Sequence, residues 1–251
     1  MSTQSVKTAL KVLEAVAEAQ PVGLSELART LEVNKSTVQR CLVTLAEAGW
    51  IRAEGEDRPR WVMTTKAFTV GSQVEQVTSI RELALPALGA LQEHAGETVH
   101  LMVPEGDGRT MVLVERLDSA HPVRVFRRLG SRITLHASAN GLAYLARCDA
   151  AFLDAYLAGG LASRTTHTIT DPDALRAELT RVRERGYSVN EEGMEDGVVA
   201  VGAAILSRRG APVAAFSVSG PRIRMTVDAV RDYGERAVET SREISGLLRD
   251  I

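Results

Sequence analysis

The stretch LSELARTLEVNKSTVQRCLVTLAEAG, residues 24–49, reads as two short helices joined by a tight turn, and the rest of the chain is organised around it. The first helix is expected from a Ser25 N-cap through Leu31, with Leu24 in the hydrophobic staple position and Leu27, Ala28 and Leu31 on one face. Glu32, Val33 and Asn34 make the turn. The second helix is capped by Asn34, buries Val38, Cys41, Leu42 and Leu45, and stops at Gly49, which can adopt the left-handed conformation of a C′ residue. Its other face carries Lys35, Ser36, Thr37, Gln39, Arg40 and Thr44, the hydroxyl, amide and cationic side chains that reach phosphates and base edges in a major groove. Any amphipathic hairpin has a solvated polar face, so the motif alone leaves a function without DNA open. The following residues favour DNA: 50–52 read as a strand, 54–59 as a charged loop and 60–63 as a returning strand, the hairpin called a wing. Arg58 and Arg60 are expected over the sugar-phosphate backbone beside the groove.

With 251 residues, 45% hydrophobic and 25% charged, the chain has material for two folded domains. A formal charge of −2 excludes general polyanion binding by the whole molecule, so DNA contact must come from a local patch supported by dimerisation. Cys41 and Cys148 are far apart in apolar helical patterns and read as core residues in a reducing compartment. The first 19 residues lack the apolar run of a signal peptide, and no segment approaches the roughly 18 apolar residues of a membrane span. The expectation is a cytoplasmic protein without membrane contact.

Along the chain, Val6, Ala9, Leu10, Leu13, Val16 and Ala17 recur at helical spacing, giving a first helix over 5–19 that Pro21 and Gly23 end. Residues 1–64 thus form a winged helix-turn-helix domain. A helical connector is expected over 65–78, with Ala67, Phe68, Val70, Val74 and Val77 as its apolar positions, and residues 79–251 make the second domain. That domain begins with a helix over 79–95, in which Pro86 forces a kink or a restart. Strand alternation follows at 98–103, 111–117 and 123–128, and residues 133–136 lead into helices over 137–147 and 150–158. Asp171 caps a helix that begins at Pro172 and stops at Gly186. Strands at 187–190, 198–206 and 213–218 and a terminal helix over 227–248 complete an α+β domain with an antiparallel sheet.

These residues resemble the IclR family of bacterial transcription regulators. The resemblance runs through the hairpin and Trp50, GETVHLMV, GSRITLHASANGLAYLA, RGYSVNEEGMEDGVVAVGAAI and AAFSVSGP, in that order. It implies a winged helix-turn-helix domain, a helical linker and a profilin- or GAF-like carboxy-terminal domain. That domain would bind a small organic or aromatic acid effector. It also implies a homodimer or homotetramer on palindromic double-stranded operator DNA, regulating a metabolic, catabolic operon. Carried over by motif, the pocket comprises Ala139 and Asn140 at its mouth, Asn190, Ala200, and the paired Ser217 and Ser219, whose hydroxyls face one side of the sheet. The chain departs from the family at Asn190 and Gly193, which replace acids, and at Ala200, which replaces a Cys. A lost carboxylate and thiol, with an added Asn140 amide, favour a ligand with more hydrogen-bonding or aromatic character than a small keto acid. In the reader, Glu32 stands where Gly is common, and a left-handed conformation there costs on the order of 1 kcal/mol.

No catalytic constellation, metal site or cofactor motif is visible. The histidines at 94, 100, 121, 136 and 167 are dispersed, and neither Ser217 nor Ser219 has the strand-to-helix elbow of a nucleophile. His100 and His136 as a metal pair weigh less than hydrogen-bonded structural histidines. The alternatives to a ligand-responsive DNA-binding regulator are a metabolite sensor acting through protein contacts and a small-molecule enzyme, both without DNA binding.

Overall fold

The computed structural model describes residues 2–55 and 58–248, the side chains of 75–78 excepted. Glu56 and Asp57 of the expected wing loop and the side chain of Val77 lie outside the described residues. The chain divides into two compact units, 1–75 and 76–251, and the division falls inside the connector expected over 65–78.

Unit 1 runs α1 (Gln4–Ala19), β1 (Val22–Gly23), α2 (Leu24–Thr30), α3 (Lys35–Glu47), β2 (Ile51–Glu54), β3 (Arg60–Met63) and α4 (Lys66–Gly71). Its core joins Val12 and Val16 of α1, Leu27 of α2, Val38 and Leu42 of α3, and Ile51 and Trp61 of the wing. Val6 and Leu10, which share the expected α1 stripe, are exposed, because the face against α3 is set by Val12, Ala15 and Val16 instead. The first reader helix starts at Leu24 after an extended Gly23, so Ser25 lies inside it and caps nothing. Asn34 does cap α3, its side-chain oxygen accepting from the Thr37 N–H at 3.4 Å. Glu32 holds a left-handed φ of 53° and Gly49 one of 78°. A third strand, β1, pairs antiparallel with β3, giving the order β1-β3-β2. Lys66 of α4 donates to the Ala48 carbonyl at 2.7 Å and lies over the Trp50 ring, tying the start of the connector to the end of α3.

Unit 2 opens with α5 (Glu75–Ala95), a single helix that continues through Pro86. β4 (Thr98–Glu105), β5 (Thr110–Leu117), β6 (Arg132–Thr134), α6 (Ala139–Leu145), α7 (Ala150–Ala158) and α8 (Pro172–Arg185) follow. β7 (Ser188–Glu191), β8 (Val198–Leu206), β9 (Pro212–Pro221) and α9 (Val227–Leu247) close the chain. Asp171 caps α8 and Gly186 ends it at a φ of 88°, as the residue types require. The six strands pair antiparallel in the order β6-β5-β4-β9-β8-β7.

Period-two alternation gives the sheet two buried faces. Val99, Leu101, Phe216 and Val218 pack with Leu88 and Leu91 of α5 and Ile244 of α9, whereas Met102 and Ala215 face Leu142 of α6 and Leu179 of α8. Residues 123–128, expected as a strand, belong instead to an irregular connection between β5 and β6. Pro122 supplies no N–H to a ladder. Val125 alone of the apolar residues there is buried, while Val123, Phe126 and Leu129 stay exposed. Two glycines let α6 approach the sheet and its own lead-in. A Cβ on Gly141 would sit 2.2 Å from the Leu135 backbone, and one on Gly202 would sit 2.9 Å from that of Ala139.

Candidate functional site

Helix α3 presents its outward face in two adjacent stripes. Ser36, Gln39 and Val43 are exposed with Lys35 at the helix start, and the sequence reading missed Val43, an apolar side chain of the kind that meets a thymine methyl. The second stripe, Thr37, Arg40, Cys41 and Thr44, borders a groove whose other wall is Gln4, Ser5, Val6, Thr8 and Ala9 of α1. Thr37 and Cys41 are half-buried there, whereas Arg40 and Thr44 are exposed. The Thr44 hydroxyl donates back to the Arg40 carbonyl at 2.9 Å. On the wing, Arg60 is engaged inside unit 1: its Nε donates to the Pro21 carbonyl at 2.9 Å and its Nη2 lies 3.4 Å from Glu26. Arg58 is exposed at the wing tip.

The second site is a cavity in unit 2 that in this structure has only about 30 Å³ of free room, space for about one water molecule, so its walls must part to admit a larger ligand. All six residues carried over from the family motif line it: Ala139, Asn140, Asn190, Ala200, Ser217 and Ser219. Strand register explains the convergence. Asn190 pairs with Ala200 and Ala200 with Ser219, while Gly202 pairs with Ser217 and Ser217 with His100, so two cross-strand rows floor the cavity. The Ser217 and Ser219 hydroxyls are 3.2 Å apart and both are buried.

Asn140, expected at the mouth, is buried and braces the floor. Its Nδ2 donates to the carbonyls of His100 and Ala215 at 3.4 Å each, which leaves only the amide oxygen for a ligand. Ser138 caps α6 by accepting from the Gly141 N–H at 3.2 Å. Over the top, the connection between β5 and β6 contributes Val125 and Arg127, and the turn after β7 contributes Met194. Arg127 is tied to that turn by an ion pair with Glu195 at 3.0 Å.

Sequence reasoning missed His100 and Arg127. His100 is 3% exposed, and its Nε2 has no hydrogen-bond partner within the protein. Burial first, and then the positive charges of Arg127 and Arg116, against a smaller opposing effect of Asp118, lower its pKa to about 3, so the ring is neutral at ordinary pH. The motif resemblance that singled out Ser217 and Ser219 did not include His100, and only the antiparallel pairing of β4 with β9 brings it beside Ser217. Arg127 could not be found from a strand pattern, because its backbone is irregular. His136 is occupied elsewhere: Nδ1 meets the Tyr156 hydroxyl at 2.7 Å and Nε2 the Ala162 carbonyl at 2.9 Å. Among the described residues no group of His, Cys, Asp and Glu side chains is arranged to hold a metal. No helix among them is long and apolar enough to cross a membrane.

A winged helix-turn-helix unit followed by an α+β unit with a small cavity lined by polar side chains defines a DNA-binding regulator with a ligand-binding domain. Residues 5–55 match the IclR helix-turn-helix domain and residues 72–246 the carboxy-terminal domain of the bacterial transcriptional regulator IclR. The chain is 32% identical over 244 residues to the transcriptional repressor IclR of Escherichia coli (strain K12), covering 96% of this chain and 89% of that one. It has the same identity and coverage with the acetate operon repressor of Salmonella typhimurium (strain LT2). In fold it is similar to an IclR homolog from Microbacterium hydrocarbonoxydans crystallised with 4-hydroxybenzoate, with a TM-score of 0.84 at 23% identity, covering 99% of this chain and 100% of that one. The chain belongs to the IclR family of transcriptional regulators, and its function is DNA-binding transcriptional regulation rather than enzymatic catalysis.

Proposed function

We propose that the chain binds a palindromic operator as a dimer or dimer of dimers, and that a small organic or aromatic acid in the unit 2 cavity alters that binding. The exposed polar face of α3 supports the DNA half of this reading, with Lys35, Ser36, Gln39 and Arg40 reaching the groove, Thr37 and Thr44 at its α1 side, and Arg58 at the backbone. A two-fold pair of such helices reads two half-sites, which one helix of 13 residues cannot do alone. Arg60 contributes charge at the wing base but is held by Pro21 and Glu26, so its part is to fix the wing.

The observation that carries the effector half is the convergence of Asn140, Asn190, Ser217, Ser219 and His100 on one cavity, with Arg127 as its cation. Buried hydroxyls, an amide oxygen and an imidazole supply neutral hydrogen bonds, and Arg127 offers a charge-assisted bond to a carboxylate. That the M. hydrocarbonoxydans homolog holds a hydroxylated benzoate agrees with this chemistry. The signal passes along the chain through α4 and α5, which join the reader to the core beneath the cavity floor. A ligand changes DNA affinity only as far as it binds one arrangement of the readers better than another, typically by about 1 to 3 kcal/mol.

Ser219→Leu tests the reading. Calorimetry with 4-hydroxybenzoate and benzoate, and a mobility shift on operator DNA, should show lost ligand binding and response with ligand-free DNA binding intact. Undiminished ligand affinity would place the pocket elsewhere, and lost DNA binding would give Ser219 a structural duty instead.

A further inference from the structure

The cavity contains an unmet hydrogen-bonding group at its floor. His100 sits directly across from Ser217 in the β4–β9 ladder and lines the cavity with it, yet its Nε2 is buried without a partner. A buried polar atom left unpaired is costly, and native proteins keep such atoms where something else completes them. The neighbouring polar groups do not do so here. Asn140 directs its Nδ2 to two backbone carbonyls, and the Ser217 and Ser219 hydroxyls lie within hydrogen-bonding distance of each other.

We propose that His100 is the specificity-determining residue of the cavity and reads a neutral hydroxyl group of the effector. The effector class is thereby a hydroxylated monocarboxylate, its carboxylate toward Arg127 and its hydroxyl toward the sheet. This rests on the effector reading of the cavity given above. Four considerations select a hydroxyl. The imidazole is neutral, so Nε2 either donates or accepts according to its tautomer, and a hydroxyl matches both cases. An ammonium group would meet repulsion from Arg127, which lines the cavity, and finds no carboxylate among the described lining residues to pair with. A second carboxylate would be buried among Met102, Val198 and Ala200, and Arg127 is the one cation among the described residues that line the cavity. A purely apolar end would leave Nε2 unpaired in the complex as well, so the analogue lacking the hydroxyl binds more weakly by on the order of tenfold.

The experiment uses the full-length protein and three probe pairs, 4-hydroxybenzoate with benzoate, lactate with propionate, and glycolate with acetate, measured by calorimetry. Wild-type protein, His100→Gln, His100→Leu and Ser219→Leu are compared. The expected result is tighter binding of the hydroxylated member of at least one pair, by on the order of tenfold. His100→Leu should erase that margin while keeping the affinity for the plain acid, and His100→Gln should restore part of it. A measurement on the wild-type protein guards against a variant that fails to fold: the 15N signal of the His100 Nε2 should move with the preferred hydroxylated probe and stay in place with its partner. The proposal is overturned if no pair shows a margin, if His100→Leu keeps the margin, or if the 15N signal is indifferent to the hydroxyl. Failure of the cavity reading itself looks different, because Ser219→Leu would then bind every probe as the wild type does.

Discussion

Arg127, on the irregular connection between β5 and β6, meets Glu195, on the turn between β7 and β8, at 3.0 Å, and so two loops from distant parts of the chain are pinned together beside the cavity. The guanidinium both lines the cavity and holds a carboxylate that is itself 57% exposed. A ligand carboxylate competes with Glu195 for that guanidinium. Arg127→Gln should weaken binding of benzoate or 4-hydroxybenzoate by about 1.5 to 3 kcal/mol, the usual worth of a hydrogen bond to a charged group. Glu195→Gln should strengthen it by up to about 1 kcal/mol, because the competing partner is solvent-screened. Calorimetry at low and moderate salt checks both signs, and equal affinities in all three proteins would remove Arg127 from the binding account.

His100 gives unit 2 a defined response to acid. Its folded pKa of about 3 lies below the ordinary histidine value of 6.5, so between those values the unfolded chain binds a proton that the folded protein refuses. Stability from this residue is therefore complete above pH 6.5 and falls as the pH drops toward 3, by about 2 kcal/mol at pH 5. Urea unfolding of unit 2 at pH 7.5 and pH 5 should show wild type losing about that much more than His100→Gln. The comparison cancels His136, whose pKa is also lowered by burial. Equal losses would mean that the imidazole is not kept neutral.

Glu32 carries backbone strain in the reader turn. At a φ of 53° its side chain is in the region that favours glycine, and Glu32→Gly should stabilise unit 1 by up to about 1 kcal/mol. Thermal unfolding of unit 1 reads the change directly. A destabilised variant would show that the glutamate side chain contributes more than the conformation costs.

The three arginines of the reader should separate by kind of effect. Arg40→Ala should cost about 1 to 3 kcal/mol of operator affinity and relax preference at one base pair. Arg58→Ala should lower affinity evenly across sequences and flatten the salt dependence. Arg60→Ala should instead cost about 1 kcal/mol of unit 1 stability, since its bonds to Pro21 and Glu26 join the wing to the start of α2. Mobility shifts over a salt series, with melting curves on the same proteins, distinguish the three.

Local chemistry made much of the fold legible from sequence. Asn34, Gly49, Asp171, Pro172 and Gly186 act where their backbone preferences and caps put them, and alternation put the Ser217 and Ser219 hydroxyls on one side of the sheet, while their place in a pocket came from the motif resemblance. What stayed hidden depends on long-range packing. Val123, Phe126 and Leu129 have strand-like composition, but their connection is irregular and leaves them exposed, with the Phe126 ring under the Arg116 guanidinium 3.9 Å from its centroid. Pro86 left a kink or a restart open, and packing rules out the restart: α5 runs on through it with Ala84, Leu88 and Leu91 buried in the core. Asn140 lines the cavity as the motif implied, but its position at a helix start said nothing of its bracing role. Only the carbonyls of two distant strands reveal that its amide is already engaged.

The proposed regulation stands on coupling between the cavity in unit 2 and DNA reading by α3. The most direct test is a nuclease footprint on the DNA upstream of the protein's own coding region, taken at several salt concentrations with and without the preferred probe of the hydroxylated series. The expected result is protection of two symmetric half-sites about one helical turn apart or a multiple of it, lost progressively with salt and shifted by the probe in the wild type but not in Ser219→Leu. A footprint that the probe leaves unchanged, while calorimetry shows the probe bound, would contradict the coupling. No salt-sensitive protection of any duplex would contradict the reader itself.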